Sequence, residues 1–381
     1  MSSIDGLVSP GYEAIAEAFD AAMADEVGAA CAICVAGETV IDLWGGAARV
    51  SDPWTRNTIV PVFSVSKGIA AVCILHLAEQ GLINLDAPLA AYWDEFAHHG
   101  KGEVTVRAAL AHRAGVPYIT GTFDLGDLAS ATGMATRLAA QEPWFEPGTA
   151  HAYHPVTVGW ITSELVRRVT GMPIGRWLAQ HVSERLGLSL YMGLPPERHG
   201  QVARLQSREP AAMAARMNSY AEGSPEWQAM TLGGLISLVP ESDKFTLNDP
   251  ELQSVELAGA GMIGDARSLA SFYSACVVPI DGTRLLSDAA IEDAVRPVST
   301  GTPFGQAVSG PSWGAGVMIP WVVQPMLGET SFGHDGFGGS LAFADLRHRV
   351  GFGYVRNSLA VGGVTDPQVY AVVDALRKIL N

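Results

Sequence analysis

Strand patterns lie at the two ends of this chain and are missing from its long middle, and this order constrains the fold more than any other feature. Residues 29–46 contain two β-rich apolar runs around a turn at Gly37, which is typical of a hairpin. Three more strand patterns follow near the C-terminus, at 313–319, 339–346 and 349–355. A doubly wound sheet would alternate strands and helices throughout, so this order excludes it.

The middle of the chain is helical or irregular. An initial helix is predicted at 10–26, with Ser9 as its cap, and a closing helix at 366–380. The stretch 116–150 is rich in Gly, Pro and polar residues, which indicates a surface loop near a site. Helices between the strand regions are predicted at 64–80, 105–114, 156–170, 174–186, 266–277 and 288–295.

These elements predict an α/β (α+β) fold in which the two ends of the chain meet. We expect an antiparallel sheet of about five strands flanked by helices, with a large helical domain inserted. Residues 1–80 and 300–381 would form the α/β domain, and 81–299 the mainly helical inserted domain. A functional site would lie between the two domains.

Composition excludes several classes of protein. Of the 381 residues, 48% are hydrophobic and 17% charged, as in compact enzymes, and the formal net charge is −15. A negative charge of this size argues against nucleic acid and anionic membranes as partners. The apolar stretch 68–78 is too short to cross a bilayer, and the first twenty residues lack the basic start of a secretory leader, so a cytoplasmic location is expected.

The four cysteines are expected to be free thiols. Cys31 and Cys34 form a C-x-x-C pattern, but residues three apart on a strand point to opposite faces of the sheet. A redox or metal-binding pair is therefore disfavoured, and buried core thiols are expected.

Ser64 and Lys67 are spaced three residues apart at the start of the apolar helix, which places both side chains on one helix face. A serine hydroxyl needs a base to become a nucleophile, and a buried lysine in its neutral form can be that base. The other interpretation is a lysine that reaches the surface beside an N-cap serine. This segment alone leaves both open.

Two further segments bear on that choice: residues 143–155 read PWFEPGTAHAYHP, and 332–340 read FGHDGFGGS. Together with FSVSK at 63–67, they resemble the serine β-lactamase and penicillin-binding protein superfamily, most closely its family VIII carboxylesterase branch, which is similar to class C β-lactamases. The resemblance also takes in LWGG at the hairpin end, ALAHRAGVP at 109–117 and GAGMIGDARSLASF at 259–272, and so covers most of the chain. It implies the β-lactamase/DD-peptidase-like fold.

The resemblance also implies roles for individual residues. Tyr153 matches the tyrosine whose phenol shares a proton with the serine and lysine, although an ordinary loop tyrosine is the alternative. His334 and Gly336 match the third, substrate-binding motif; His334 could instead be a turn residue that bonds its own loop. The backbone N–H groups of Ser64 and Phe337 would form the oxyanion hole.

Two departures from the β-lactamase pattern affect the expected substrate. Pro155 replaces an asparagine, so no side-chain donor reaches a substrate amide. His334 and Asp335 replace Lys-Thr, so this motif presents no fixed positive charge to a substrate carboxylate. Both changes disfavour β-lactams and leave an uncharged ester as the simplest substrate.

Competing motifs are weaker. Residues 310–314 read GPSWG, formally a nucleophile elbow around Ser312, but an elbow must follow a strand and open a helix. His151 and His154 form an isolated pair, and neither H-E-x-x-H nor a phosphate-binding loop occurs. No metal and no cofactor are expected.

The sequence thus predicts a serine hydrolase that cleaves short-chain carboxylic esters through an acyl intermediate on Ser64. A β-lactamase, amide hydrolase or acyltransferase using the same acyl-enzyme stays open as an alternative. So does a non-catalytic binding or assembly member of the fold. The expected partner is a small-molecule ester, and the oligomeric state is left open.

Overall fold

The protein is described by a computed structural model over residues 4–324, 326–361 and 366–381. Within these ranges nine strands form one antiparallel sheet, and five short strands form two smaller sheets. The strands are β1 (Ile4–Val8), β2 (Gly28–Val35), β3 (Glu38–Arg49), β4 (Asp52–Pro53), β5 (Val60–Pro61), β6 (Leu190–Tyr191), β7 (Gln206–Ser207), β8 (Ile263–Gly264), β9 (Ser312–Trp313), β10 (Met318–Ile319), β11 (Ser331–Asp335), β12 (Leu341–Asp345), β13 (Val350–Arg356) and β14 (Ser358–Leu359).

Helices fill the region between the two groups of long strands and also flank the sheet. The α-helices are α1 (Glu13–Ala22), α2 (Val65–Glu79), α3 (Val106–Leu110), α4 (Leu125–Ala129), α5 (Gly133–Ala140), α6 (Thr157–Thr170), α7 (Ile174–Leu178), α8 (Glu184–Leu186), α9 (Pro210–Asn218), α10 (Pro225–Thr231), α11 (Pro250–Gln253), α12 (Ala266–Val277), α13 (Asp288–Ala294) and α14 (Pro367–Leu380). A π-helical turn, Ala179–Ser183, joins α7 to α8.

The ends of the chain meet in the main sheet, as the sequence predicts. Its strand order is β1-β3-β2-β13-β12-β11-β10-β9, and β4 pairs with β3. The junction is the antiparallel pairing of β2 with β13, in which Cys34 lies opposite Gly351. The antiparallel sheet with flanking helices is therefore confirmed.

The expected count of about five strands is too low. Strands β2, β3, β11, β12 and β13 form the centre, and β1, β4, β9 and β10 extend it to nine in the described part of the chain. The five-residue strands β1 and β11 had no predicted counterpart. The single strand predicted at 313–319 is wrong: Gly314 donates to the Val317 carbonyl in a turn, and Gly316 has a φ of +85°. The turn divides this stretch between β9 and β10.

Glycines in β13 let a helix pack directly on the sheet. A Cβ at Gly351 or Gly353 would lie 2.1 and 2.3 Å from carbonyl oxygens of α12. The alternate residues Phe352 and Tyr354 face the opposite side of the sheet, where they pack with Phe19 of α1 and with α14. The strand sequence GFGY therefore decides which face receives α12 and which receives the terminal helices.

The predicted C-x-x-C residues are core thiols. Cys31 packs in the core on the α1 and α14 side, and Cys34 packs in the core on the α12 side. Each of the four cysteines, all within the described ranges, is free and buried.

Helix α2 confirms the buried helix expected at 64–80, since the residues from Val65 to Leu75 are all buried. Within the described ranges, no helix combines the length and the apolar character that a bilayer crossing requires. Helix α12 packs on the main sheet although it belongs to the segment 81–299. The division into an α/β domain and an inserted domain stays a prediction.

Two local expectations are wrong, and three helices were not predicted. The first helix starts at Glu13, not at Pro10, because Gly11 takes a φ of +92° and donates to the Glu13 carboxylate, so Ser9 is no cap. The 116–150 stretch contains α4 and α5, and α4 begins with a capping box at Asp124. Helices α9, α10 and α11 had no expected counterpart.

A buried ionic cluster ties four distant segments together. The side chains of Arg356 and Glu26 are both fully buried, with Nη1 of Arg356 3.1 Å from Oε1 of Glu26. Arg356 also bonds Asp366, the N-cap of α14, and Arg208 bonds Glu26 from the middle of the chain. Burial raises the pKa of the Glu26 carboxyl, and the Arg356 charge opposes this rise. The carboxylates are tolerated inside because two guanidinium groups compensate them.

Replacing Arg356 by Met should destabilise the fold strongly, because two buried carboxylates would lose a partner. Removing one member of a buried ion pair costs about 3–5 kcal/mol. The matched control is Arg296→Met, since the Arg296 side chain is 72% exposed in its pair with Asp293; such surface pairs contribute about 0–1 kcal/mol. Urea denaturation followed by circular dichroism measures both, and equal midpoints for the two variants would contradict the importance of the cluster.

Candidate active site

The turn before α2 presents Ser64 at the start of that helix. Phe63 has a left-handed φ of +50°, which is strained for a side chain of its size, and Ser64 is the N-cap residue of α2. The ring of Phe63 packs against that of Phe337 at 5.6 Å. This sharp turn leaves the Ser64 side chain partly exposed at the end of a buried helix.

The structure brings together Ser64, Lys67 and Tyr153. Nζ of Lys67 lies 2.9 Å from Oγ of Ser64, one helical turn away. Oη of Tyr153 donates to the same Oγ at 2.8 Å, across a separation of 89 residues. The serine oxygen is therefore in contact with two groups that can exchange a proton.

Lys67 is buried, and burial sets its protonation. Loss of water around Nζ lowers the pKa of Lys67 from 10.5 to about 7, although the nearby Asp335 carboxylate opposes the shift. Near neutral pH a substantial part of the lysine is uncharged and able to accept a proton. A lysine that reaches the surface, the alternative interpretation, is excluded because its exposed fraction is 4%.

A second contact fixes Nζ of Lys67: it donates to the Gly259 carbonyl at 2.6 Å. The loop that contains Gly259 approaches helix α6 closely because the residues in contact, Gly159 and Gly259, are both glycines. A Cβ at Gly159 would lie 2.1 Å from the Gly259 nitrogen. Ser66 also holds the loop, since its Oγ accepts from the Met262 N–H at 3.0 Å. The stretch 259–272, which sequence analysis noted only as a resemblance, thus positions the lysine.

The Tyr153 phenol is held by an aromatic wall that sequence analysis missed. Trp313 stacks on the Tyr153 ring at 5.6 Å, and His112 contacts both rings edge-on, at 5.0 Å from Tyr153 and 4.4 Å from Trp313. Burial raises the pKa of Tyr153 above its ordinary value, so the phenol keeps its proton. The sequence signal for His112 was its place in ALAHRAGVP, and Trp313 lies within GPSWG, the competing motif around Ser312.

Histidines near the site are engaged by the backbone. Nδ1 of His112 accepts from the His154 N–H, and Nε2 of His154 accepts from the Val116 N–H, each at 3.2 Å. Burial lowers the pKa of both imidazoles, so they are neutral. Across the described part of the chain, no group of three His, Cys, Asp or Glu side chains is arranged to hold a metal ion.

The residues proposed for the oxyanion hole lie on two adjoining turns. A Cβ at Gly336 would lie 2.4 Å from the Val62 carbonyl oxygen, so only glycine lets this turn approach the segment before Ser64. In the described structure, neither the Ser64 nor the Phe337 N–H donates to a protein acceptor. Both N–H groups are therefore available to a ligand, whereas substrate contact by Gly336 itself stays a prediction.

His334 lies on β11 beside the cleft and is 1% exposed. Its Nδ1 contacts the carbonyl of Asp335 at 2.6 Å and the carboxylate at 3.2 Å, while Nε2 has no partner among the described residues. Burial lowers the pKa of His334 despite the Asp335 charge. The imidazole is therefore neutral near pH 7, and substrate binding by His334 stays a prediction.

A cleft of about 450 Å³ opens above Ser64 and Tyr153. One wall comes from the segment 216–238, which sequence analysis left without a function. Its lining side chains are mainly apolar, with one arginine and one glutamate: Arg216, Tyr220, Pro225, Glu226, Ala229, Met230, Ile236 and Leu238. These short helices carry no motif, so the sequence offered no signal for them.

Ser312 is not a nucleophile elbow. It begins the two-residue strand β9, and the turn at Gly314 follows, where an elbow requires a helix. The competing serine motif therefore lacks its structural context.

The chain is similar to known proteins over most of its length. The model of the Beta-lactamase family matches residues 15–375. A relative from Mycobacterium tuberculosis (strain ATCC 25618 / H37Rv), Esterase/beta-lactamase LipL, is 32% identical over 343 residues, covering 87% of this chain and 77% of the relative.

Two solved structures are similar over almost the whole chain. A family VIII carboxylesterase superposes with a TM-score of 0.86 at 32% identity, over 99% of this chain and 100% of that chain. A penicillin-binding protein homolog from Caulobacter crescentus superposes with a TM-score of 0.87 at 33% identity, with the same coverage. The resemblance inferred from the sequence motifs is confirmed, and the chain belongs to the Beta-lactamase family.

Proposed function

We propose that this protein is a serine carboxylesterase that hydrolyses short-chain esters through an acyl intermediate on Ser64. The observation that carries the proposal is the contact of one serine oxygen with both Lys67 Nζ and Tyr153 Oη at the base of an open cleft. The esterase names of similar proteins support the same reaction class. The cytoplasmic location stays a prediction.

Acylation follows from the protonation states of the two neighbours. Neutral Lys67 takes the Ser64 hydroxyl proton as Oγ bonds to the ester carbonyl carbon. Tyr153, which keeps its phenol proton, donates it to the leaving alcohol oxygen as the C–O bond breaks, and Lys67 returns a proton to the phenolate. The products of this half-reaction are the acyl-serine and the free alcohol.

Deacylation uses the same groups with water as the nucleophile. Water loses a proton toward Lys67 and Tyr153, attacks the acyl carbon, and the Ser64 oxygen leaves with a proton. In both steps the N–H groups of Ser64 and Phe337 would stabilise the negative oxygen of the tetrahedral intermediate. Their lack of protein acceptors keeps them free for this role.

The motif residues in the cleft favour esters over β-lactams. Pro155 lines it without an N–H, and the neutral His334 supplies no charge from the third motif. β-Lactamase, amide hydrolase and acyltransferase activities would use the same acyl-enzyme with another leaving group or acceptor. A non-catalytic binding protein is disfavoured, because a buried lysine beside a serine is costly to maintain without a chemical use.

The first prediction concerns which serine reacts. A fluorophosphonate should label Ser64 alone, as identified by peptide mass spectrometry. Ser64→Ala should lower kcat for p-nitrophenyl butyrate by about a thousandfold or more and abolish the initial burst of p-nitrophenol. Ser312→Ala is the matched control and should keep most activity. Labelling of Ser312, or an active Ser64→Ala enzyme, would refute the mechanism.

The second prediction is a pH dependence set by Lys67. Because the base must be neutral, kcat/KM should be low in acid and rise through a midpoint near pH 7, where the pKa of Lys67 lies. Lys67→Arg keeps the charge and holds its proton, so kcat/KM should fall by about 10²- to 10⁴-fold. The control is Lys378→Arg at an exposed site on α14. A flat profile between pH 5 and 8 would contradict the assignment.

The third prediction concerns the Tyr153 proton. Tyr153→Phe keeps the ring against Trp313 but removes the hydroxyl, and kcat should fall by about a hundredfold or more. Stopped-flow measurement of p-nitrophenol release separates this loss from substrate binding. Tyr191→Phe in β6, outside the cleft lining, serves as the control. A Tyr153→Phe enzyme with unchanged kcat would show that the phenol only packs.

A further inference from the structure

Arg216 brings a guanidinium group into the cleft from a segment that none of the catalytic motifs contains. It lies on α9, lines the cleft, and its guanidinium carbon is 5.7 Å from the ring centroid of Phe337. Phe337 in turn supplies one of the two N–H groups proposed for the oxyanion hole. The cation therefore lies against the side chain of a residue whose backbone N–H is proposed to bind the ester carbonyl oxygen.

The Arg216 guanidinium is held in place but not neutralised. Nη1 donates to the Val361 carbonyl, while Nε and Nη2 make no hydrogen bond within the described ranges. No carboxylate in the described chain forms a salt bridge with it, and the residues outside those ranges contain no Asp or Glu. Among the described residues, the half-buried Arg216 therefore has two guanidinium nitrogens, Nε and Nη2, without an acceptor, in a protein of net charge −15.

Neither of the two carboxylates that line the cleft, Asp335 and Glu226, forms an ion pair with Arg216. Asp335 contacts Nδ1 of His334 at 3.2 Å, and no ion pair within 4.0 Å links it to Arg216. Glu226 lies on α10 and is exposed to solvent. Neither group therefore satisfies the planar donor set of the guanidinium, which matches a carboxylate in geometry and charge.

We propose that Arg216 binds a carboxylate carried by the ester substrate, so that the cleft selects anionic esters. This inference rests on the proposed esterase function and narrows its substrate class. It also revises the expectation of an uncharged ester, which followed from the lack of a cation in the third motif. The fold supplies that positive charge from α9, about 120 residues earlier in the chain than His334.

Matched ester pairs test this proposal. Mono-p-nitrophenyl succinate, glutarate and adipate carry a carboxylate on the acyl side. They are compared with the neutral esters of matching chain length, p-nitrophenyl butyrate, valerate and hexanoate. 3-Carboxyphenyl acetate carries the carboxylate on the alcohol side and is compared with neutral phenyl acetate. For at least one pair, Arg216→Gln should lower the ratio of anionic to neutral kcat/KM by about 10- to 100-fold, as expected for a charged hydrogen bond.

Two variants and one condition separate a charge effect from a structural one. Arg216→Lys keeps the charge without the planar fork and should retain part of the ratio. Arg296→Gln removes a charge from an exposed site outside the cleft and should leave the ratio unchanged. Added salt should lower the wild-type ratio, because it screens the ion pair.

Carboxylate recognition by Arg216 can also be measured without turnover. Calorimetric binding of the same pairs to Ser64→Ala protein, with and without Arg216→Gln, measures anion recognition directly. Wild-type hydrolysis of the neutral esters tests the proposed function by itself. If Arg216→Gln changes neither the kinetic ratio nor the binding ratio in any pair, or lowers both esters equally, carboxylate recognition by Arg216 is wrong.

Discussion

The antiparallel pairing of β2 with β13 is the constraint on which the rest of the structure depends. It joins the first hairpin to the last strands, and so places β11 in the same sheet as the elements that precede α2. Helix α2 then packs against β11, where Gly68 allows close approach: a Cβ there would lie 3.3 Å from the His334 Cβ. Ser64 and Phe337 come together only because the two chain ends share one sheet.

Close packing around α2 creates the chemistry as well as the stability. Apolar side chains surround the helix, and Lys67 is buried with them, which disfavours its charged form. The free energy that this desolvation costs is not recovered in an ion pair, since Nζ contacts Ser64 and a backbone carbonyl rather than a carboxylate. The burial of apolar side chains elsewhere in the core must offset it. An uncharged base beside the serine is the result.

The catalytic residues and the cleft wall formed by 216–238 lie in parts of the fold that differ in how many side-chain replacements they allow. The residues around Ser64 and Tyr153 are held by glycine approaches and stacked rings, which allow few replacements. The wall from 216 to 238 consists of short helices and turns whose side chains face an open cleft. A change there alters the shape or charge of the cleft without moving the serine, and Arg216 is such a residue.

The sequence by itself determined the antiparallel sheet and the buried helix with Ser64 and Lys67, which follow from strong local patterns of strands at both ends and an apolar helix. Tyr153 came from the resemblance of the motifs, in their order along the chain, to a known family. Local patterns also fail at specific points: β1 was not predicted, and the strand pattern at 313–319 did not show the turn that divides it into β9 and β10. The sequence could not give the domain boundary either, because α12 packs on the sheet from within the helical segment.

Only the tertiary structure showed which residues surround the serine beyond Lys67 and Tyr153. Four such residues are far apart in the chain and share no motif. His112 and Trp313 pack around Tyr153, the Gly259 carbonyl binds Lys67, and Arg216 adds a positive charge to the cleft. The tertiary structure also decided the protonation of Lys67, because desolvation depends on every element packed around Nζ and not on its neighbours in sequence. Local sequence specifies which groups are present; long-range packing specifies their distances and their charge.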